Sequence, residues 1–259
     1  MRHQFDAIAF DADDTLWHSE ESFRRNERQF VELLGPYVDD GVDIKSALVA
    51  IESANLSTYG YGVKSFGLCA VEAALTLSNG RVPPAVIERI ISSVKEHLTE
   101  PVRLFNEAAS VVADVARRWN VIMITKGDLV HQTRKVATSG LEHHFDHVEI
   151  VLEKDSETYA RVLRSLGIDP SRFCMVGNSL KSDILPVLEI GGFGVHVPFE
   201  ILWDLESTDS APDEGDRWVE LADKAEARIG DCQSAFTLPH WMMALAATGR
   251  FQAGARMLD

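Results

Sequence analysis

The sequence is short of cysteine and of positive charge, and both shortages restrict what the protein does. Its three cysteines (Cys69, Cys174 and Cys232) are far apart and form no C-x-x-C pair. This pattern excludes a structural zinc knuckle, and it favours a reducing cytosol over a disulfide framework. The chain has 25 Lys and Arg against 40 Asp and Glu, which gives a formal net charge of −15. We therefore expect no nucleic-acid partner, because phosphate backbones select clustered Lys and Arg.

Long hydrophobic runs are also missing. No stretch approaches the roughly 18 apolar residues of a membrane span, and the first six residues form no apolar signal region. We expect a cytoplasmic protein without a membrane partner, either a monomer or a homodimer. The length of 259 residues suits one α/β domain with a smaller insert, or two small domains.

Five short apolar runs predict the buried strands of a parallel sheet. The runs are 7–10, 121–124, 148–151, 173–176 and 194–197. Helical patterns near 128–138, 155–166 and 180–189 alternate with the last four runs. Strand and helix in close alternation predict an α/β fold with a doubly wound parallel sheet.

The first two runs are separated by about a hundred residues that are mostly helical in pattern. The amphipathic segments are 20–34, 43–56, 66–79 and 83–97, and a further helix near 106–117 leads into the second strand. We predict an α/β core of residues 1–18 and 100–259 and an inserted all-helical domain of residues 19–99. In the last part of the core, we expect an acidic surface loop at 204–216 and helices near 217–228 and 239–248.

Polar groups follow the first four strands. They are Asp11 and Asp13, then Thr125, Lys126 and Gly127, then Lys154, and then Asn178 and Asp183. Ligands of an open parallel sheet bind just beyond the carboxyl ends of its strands. The sequence therefore predicts that these groups converge at one edge of the sheet.

In chain order, these residues form D-x-D-x-T-L from Asp11, an apolar strand ending in Thr125, Lys154, and G-N-S-x-x-x-D ending at Asp183. Each motif alone is a weak signal, but four in this order resemble the phosphatase branch of the haloacid dehalogenase superfamily. The resemblance covers the whole core, about 5–18 and 100–200. It implies a Rossmann-like core, and the inserted helices look like the family's first-position cap.

The resemblance also implies a role for each residue. Asp11 is expected to attack phosphorus and form an aspartyl-phosphate, and Asp13 to act first as general acid and then as general base. The Thr125 hydroxyl and the backbone N–H groups of Lys126 and Gly127 are expected to hold phosphate oxygens. Lys154 is expected to neutralise the nucleophile and the phosphoryl group together.

The expected cofactor is Mg²⁺, which prefers hard oxygen ligands. The resemblance supplies a carboxylate oxygen of Asp11, the backbone carbonyl of Asp13 and the side chain of Asp183. Asn178 departs from the family pattern, because many relatives carry Asp there. An amide can coordinate through its carbonyl or hold a metal-bound water, but it brings no charge.

Substrate specificity is expected to come from the inserted helices, since a cap closes over the pocket. The candidate segment is the glycine-rich stretch 59–66, in which Lys64 could meet an anionic substrate. The alternative for this stretch is a simple interhelical loop with packing aromatic residues.

The predicted function is hydrolysis of a small phosphorylated metabolite. One alternative is a 2-haloacid dehalogenase, but those relatives carry tyrosine two residues after the nucleophile, where this chain has Asp13. A phosphomutase shares the core residues and stays open, as does a non-catalytic phosphate-binding protein.

Overall fold

A five-stranded parallel sheet forms the centre of residues 5–199, the part of the chain that the computed structural model describes. The strands are β1 (Ala7–Phe10), β2 (Asn120–Lys126), β3 (His147–Val151), β4 (Phe173–Gly177) and β5 (Phe193–His196). All five predicted runs are confirmed as strands. Cys232 and the predictions for residues 204–216, 217–228 and 239–248 lie outside the described residues.

The strand order is β3-β2-β1-β4-β5, and every pairing is parallel. All four residues of β1 are buried, because this strand lies between β2 and β4 in the middle of the sheet. The chain order reverses between β1 and β4, which makes their carboxyl ends a topological switch point. Asp11 and Asp13 follow β1 directly and so lie at this switch point.

Eight α-helices flank or precede these strands within the described residues. They are α1 (Glu20–Leu34), α2 (Ile44–Tyr59), α3 (Val63–Leu77), α4 (Pro84–Thr99), α5 (Ala108–Ala116), α6 (Leu129–Thr138), α7 (Ser156–Leu166) and α8 (Leu185–Glu189). Short 3₁₀ turns lie at Gly35–Tyr37, Glu142–His144 and Pro170–Arg172. In residues 5–199, no helix has the length and apolar character that crossing a membrane requires.

One predicted helix, 180–189, is divided in two. Its first part is a π-helical turn, Leu180–Ile184, and α8 follows it. Pro186 has no N–H, so the carbonyl of Ser182 four residues earlier receives no α-helical hydrogen bond from it. The Tyr159 hydroxyl donates to that carbonyl instead, at 3.1 Å. The irregular turn places Asp183 at the end of β4, where it is buried.

The helices α1–α4, here called the helical insertion, have a hydrophobic core of their own. Its largest buried members include Phe30, Leu34, Leu48 and Ile90. Helix α3 contributes small residues, and a side chain at Gly67 would overlap Val94, so α3 and α4 pack closely. The sheet has a separate core built around β1, β2, β4 and α7. Two cores agree with the predicted insertion at 19–99, while its division as a domain stays a prediction.

Two buried histidines lie where the helical insertion meets the core. The Asn26 amide of α1 donates to Nδ1 of His97 of α4 at 2.8 Å, and the His97 ring lies 6.1 Å from that of His131 of α6. Burial lowers the pKa of His97 to about 4 and that of His131 to about 4. Both imidazoles are therefore neutral at pH 7.

We expect His97→Gln to weaken the pH dependence of stability. The folded-state pKa of His97 is below its ordinary value of 6.5, so the unfolded chain binds the proton first as pH falls. The stability contributed by the neutral ring is complete above pH 6.5 and is lost towards pH 4. Between pH 6.5 and pH 4, the free energy of unfolding measured with urea should fall by roughly 1–3 kcal/mol more in the wild type than in the variant. His143→Gln, at an exposed histidine, is the control, and equal losses in all three proteins would contradict the prediction.

Candidate active site

Lys154 lies between two buried carboxylates at the carboxyl edge of the sheet. Its ammonium donates to Oδ1 of Asp11 and, at 2.7 Å, to Oδ1 of Asp183. The side chains of Lys154, Asp11 and Asp183 are 2%, 8% and 1% exposed. Residues that follow three different strands thus meet in one buried ion cluster, here called the carboxylate–lysine centre.

The electrostatics of this centre follow from its burial and from its three charges. Desolvation disfavours the Lys154 ammonium, but Asp11 and Asp183 outweigh it and raise the pKa of Lys154. Burial raises the pKa of Asp11 to about 6; Lys154 opposes this rise, and Asp183 adds to it. At neutral pH the lysine is therefore charged and Asp11 is mostly ionised.

Local hydrogen bonds fix the remaining oxygens of the two carboxylates. The Thr15 hydroxyl donates to Oδ2 of Asp11 and accepts from the backbone N–H of Asn178, both at 3.0 Å. The backbone N–H of Ser179 donates to Oδ2 of Asp183 at 2.9 Å. A Cβ at position 177 would overlap the Asp183 carboxylate, so Gly177 is needed for this close approach. Thr15 therefore connects the motif after β1 to the motif after β4.

Asp13 has a different environment from Asp11. Its carboxylate accepts from Trp17 Nε1 at 2.6 Å, from Gln132 Nε2 at 2.7 Å and from the ammonium of Lys135. Burial alone would raise the pKa of Asp13, but Lys135 and the hydrogen bonds from Gln132 and Trp17 outweigh it and lower that pKa. Asp13 is therefore held as an anion.

Gln132 and Lys135 were not among the site residues predicted from the sequence. Both lie on α6, and both are buried together with His131. A signal was present, because polar residues at 131, 132 and 135 occupy the helix face that packs inward, where apolar residues are the norm. Their partner was not deducible, since Asp13 is 122 residues from Lys135 in the chain.

Thr125 ends the buried run of β2, and its side chain is 1% exposed. Its hydroxyl has no hydrogen-bond partner in the described part of the chain. A buried hydroxyl without a partner is costly, and a bound ligand is one way of satisfying it. The contact between Thr125 and a phosphate stays a prediction.

The two lysines predicted to contact substrate both form ion pairs. Lys126 Nζ lies 2.9 Å from Glu153 Oε1 and 3.9 Å from the centre of the Tyr61 ring. The Tyr61 hydroxyl donates to Glu153 at 2.9 Å, and Lys64 Nζ lies 2.9 Å from Asp128 Oδ1. These contacts join the helical insertion to the loops after β2 and β3.

A cavity of about 540 Å³ opens between the helical insertion and the sheet edge. Asp13, Lys126, Gly127 and Lys135 line its core side. Asp11, Lys154 and Asp183 are buried and do not line this cavity. Asp13, two residues after Asp11 in the chain, does line it.

Asp14 has a structural role beside this site. Its carboxylate accepts from the backbone N–H groups of Ser19 and Glu20 at 2.9 and 3.0 Å, at the start of α1. Burial raises the pKa of Asp14 to about 7. The residue caps the first helix of the insertion and so fixes it to the loop that carries Asp11 and Asp13.

The molecule is thus an α/β protein whose buried charged residues gather at the switch point of a parallel sheet. A family model for haloacid dehalogenase-like hydrolases matches residues 5–191. The chain belongs to that family. The family resemblance deduced from the motifs is thereby confirmed.

Individual relatives agree with this assignment. A solved haloacid dehalogenase-like family hydrolase from Xanthomonas campestris is 41% identical, with a TM-score of 0.73, covering 76% of this chain and 83% of that one. A glyceraldehyde 3-phosphate phosphatase of Methanothermobacter thermautotrophicus is 26% identical over 208 residues, which are 75% of this chain and 86% of the relative.

The fold is also shared with enzymes named for another reaction. A 2-haloacid dehalogenase from Pseudomonas syringae pv. Tomato DC3000 is 19% identical, with a TM-score of 0.54, covering 74% of this chain and 86% of that one. At this identity the likeness concerns the fold alone. The reaction of this chain must therefore be argued from its own site residues.

We expect Lys154→Met to destabilise the protein strongly at neutral pH. Two buried carboxylates would lose their common counter-charge, and breaking a buried ion pair in this way costs roughly 3–5 kcal/mol. The loss should shrink at pH 5, where Asp11 can take up a proton. Urea unfolding at neutral pH and at pH 5, with a chelator present, measures the loss of stability at each pH. Lys126→Met removes a more exposed charge and should cost far less; equal losses in the two variants would refute the assigned role.

Proposed function

We propose that the protein is a Mg²⁺-dependent phosphomonoester hydrolase that acts on a small phosphorylated metabolite through an aspartyl-phosphate. The observation that carries this proposal is the pair of carboxylates two residues apart in separate environments. Asp11 lies in the buried carboxylate–lysine centre, whereas Asp13 faces the cavity. Two carboxylates with different surroundings are suited to two different tasks. The phosphatase activity named for the Methanothermobacter relative supports the same reading.

Asp11 is the proposed nucleophile. Thr15 and Lys154 each hold one of its oxygens, so the carboxylate is oriented before substrate arrives. Attack on phosphorus forms an acyl phosphate on Asp11 and releases the alkoxide of the substrate. Lys154 offsets the negative charge that accumulates between nucleophile and phosphoryl group. The hydroxyl of Thr125, which has no partner among residues 5–199, and the backbone N–H groups of Lys126 and Gly127 are the proposed donors to phosphoryl oxygens. The Gly127 N–H donates to the Val151 carbonyl at a long 3.4 Å in this structure and would have to exchange that bond for a phosphoryl oxygen.

Asp13 is the proposed proton carrier. The leaving alkoxide needs a proton in the first step, and the water that attacks the acyl phosphate must lose one in the second. The anionic form that Lys135, Gln132 and Trp17 maintain is the form that the second step requires. The first step requires a protonated Asp13 that has left the ammonium of Lys135.

The donor set fits Mg²⁺. Asp11 and Asp183 bring carboxylate oxygens together around the Lys154 ammonium, and the backbone carbonyl of Asp13 is a third hard oxygen donor of the proposed set. Within residues 5–199, no three His, Cys, Asp or Glu side chains are grouped as a metal site. Asn178 adds a neutral oxygen whose role stays a proposal. When bound, the metal would supply positive charge against the phosphate.

The other candidate reactions use fewer of these features. Displacement of a halide releases an anion that needs no proton, so it leaves the proposed general-acid role of Asp13 unused. A non-catalytic phosphate-binding protein would need neither a nucleophile nor a proton carrier. A phosphomutase uses both carboxylates, and its product, an isomeric phosphate ester in place of inorganic phosphate, distinguishes it.

The first test is turnover of 4-nitrophenyl phosphate with and without Mg²⁺. We expect metal-dependent release of inorganic phosphate, and a loss of more than about 1,000-fold in Asp11→Asn. Asp40→Asn, which makes the same change at an exposed position, should keep full activity. Absence of metal-dependent release in the wild type would reject the proposal.

The second test separates the two steps. Nitrophenolate leaves without a proton, so Asp13→Asn should still undergo the first step on 4-nitrophenyl phosphate. The second step should slow by about 10²–10⁴-fold, because water loses its general base. Rapid mixing should then show a burst of nitrophenolate close to one equivalent per protein, and mass spectrometry should show phosphate attached at Asp11. An Asp13→Asn variant as fast as the wild type would remove Asp13 from the mechanism.

A further inference from the structure

The positive and negative side chains around the cavity differ in how far they are paired, and this difference constrains the substrate. Among the described residues, the cationic side chains that line the cavity are Lys126 and Lys135. Lys126 is paired with Glu153, and Lys135 is bonded to Asp13. Lys64, next to the lining stretch 60–62, is paired with Asp128. Within residues 5–199, every lysine at or beside the cavity therefore already has a carboxylate partner.

His131 adds no positive charge to the cavity wall. It is buried between α6 and the helical insertion, and burial lowers its pKa to about 4. The nearby ammonium of Lys135 further disfavours its protonation. At pH 7 the ring is neutral and can serve as a hydrogen-bonding or stacking surface.

Negative charge, in contrast, is available in the cavity. Glu52 of α2 lines it and is half-buried, and burial raises the pKa of this carboxyl. Within the described part of the chain it makes no hydrogen bond or ion pair. Glu20 also lines the cavity, and its counter-ion, Arg24, is exposed to solvent. A second anionic group on a substrate would meet these carboxylates, and among residues 5–199 it would find no cation without a carboxylate partner at the cavity.

The wall contributed by the helical insertion also carries apolar side chains, beside Glu20, Glu52 and several serines. They are Phe23, Val49, Leu56 and Phe66, and Tyr61 lines the cavity with them. The exposed fractions of Val49 and Leu56 are 48% and 37%, so these side chains offer accessible apolar area. A cavity of about 540 Å³ is in the size range of small-molecule sites and larger than a three-carbon leaving group requires.

We infer that the substrate is a phosphate monoester whose leaving group has an apolar face and carries no second phosphate or carboxylate. This inference rests on the proposed function. Charge decides it: an added anion would have to take Lys126 from Glu153 or Lys64 from Asp128 and would approach Glu52. Apolar contact with the insertion wall supplies affinity that needs no further ion pair.

Two matched pairs of probes test the inference with Mg²⁺ present. The substrates are phenyl phosphate and 4-carboxyphenyl phosphate, compared by kcat/KM. The ligands are benzylphosphonate and 4-carboxybenzylphosphonate, compared by calorimetric binding, which needs no turnover. We expect the uncharged member to be favoured by about tenfold or more in both pairs, the effect of one nearby like charge. The carboxylate makes the phenolate a better leaving group, so the electronic effect opposes the expected preference.

Variants locate the origin of the preference. Glu153→Gln keeps one acceptor oxygen for Lys126 and the backbone N–H of Lys154, places an amide NH2 beside the Tyr61 hydroxyl, which can accept from it, and removes the charge that neutralises Lys126. It should reduce the preference against the carboxylate probes by about tenfold. Glu88→Gln makes the same change at an exposed position of α4 outside the cavity lining and should leave the preference unchanged.

The outcomes for the inference and for the proposed function are separate. Hydrolysis of both aryl phosphates with equal kcat/KM would overturn the inference and leave the phosphatase assignment intact. Selective phosphonate binding without any hydrolysis would support the charge argument and reject the phosphatase assignment. Equal affinity for the two phosphonates, or binding of neither, would overturn the inference.

Discussion

Two carboxylates buried around a single ammonium are the constraint on which the rest of this structure depends. Asp11, Asp183 and Lys154 come from the ends of β1, β4 and β3, and water hardly reaches them. Buried charges are tolerated only where each finds a partner with good geometry. The three strands must therefore end at one edge, Gly177 must leave room for the Asp183 carboxylate, and the π-helical turn must return Asp183 towards β1.

Asp13 extends this arrangement from the core to the cavity. Helix α6 turns a polar face inward, and Lys135 and Gln132 on that face hold the Asp13 carboxylate. The same helix carries His131, which packs towards His97 of the insertion. One helix therefore orients a proposed proton carrier and also forms part of the junction with α1–α4. The cavity electrostatics follow in part, because the charge of Lys135 is balanced by the anionic Asp13 in this structure.

Family membership and chemistry rest on different features of the molecule. The haloacid dehalogenase-like fold is set by the sheet and by its order of strands, and a phosphatase and a dehalogenase both occur among the relatives. The proposed choice between the two reactions rests on Asp13, since the alkoxide that leaves a phosphate ester needs a proton donor and a halide does not. The proposed substrate class rests on the paired lysines and on the apolar side chains of the insertion.

The sequence by itself determined the five strands, the position of the helical insertion and the edge at which Asp11, Thr125, Lys154 and Asp183 gather. Apolar runs and amphipathic periods are properties of neighbours in the chain, and parallel strands bring their carboxyl ends together by topology. It did not disclose Lys135 and Gln132 as partners of Asp13, or Glu153 and Asp128 as partners of Lys126 and Lys64. Nor did it disclose the π-helical turn, in which the Tyr159 hydroxyl donates to the Ser182 carbonyl shortly before Pro186. Only the tertiary structure decided these, because a pairing between distant side chains depends on how helices pack and not on any local pattern.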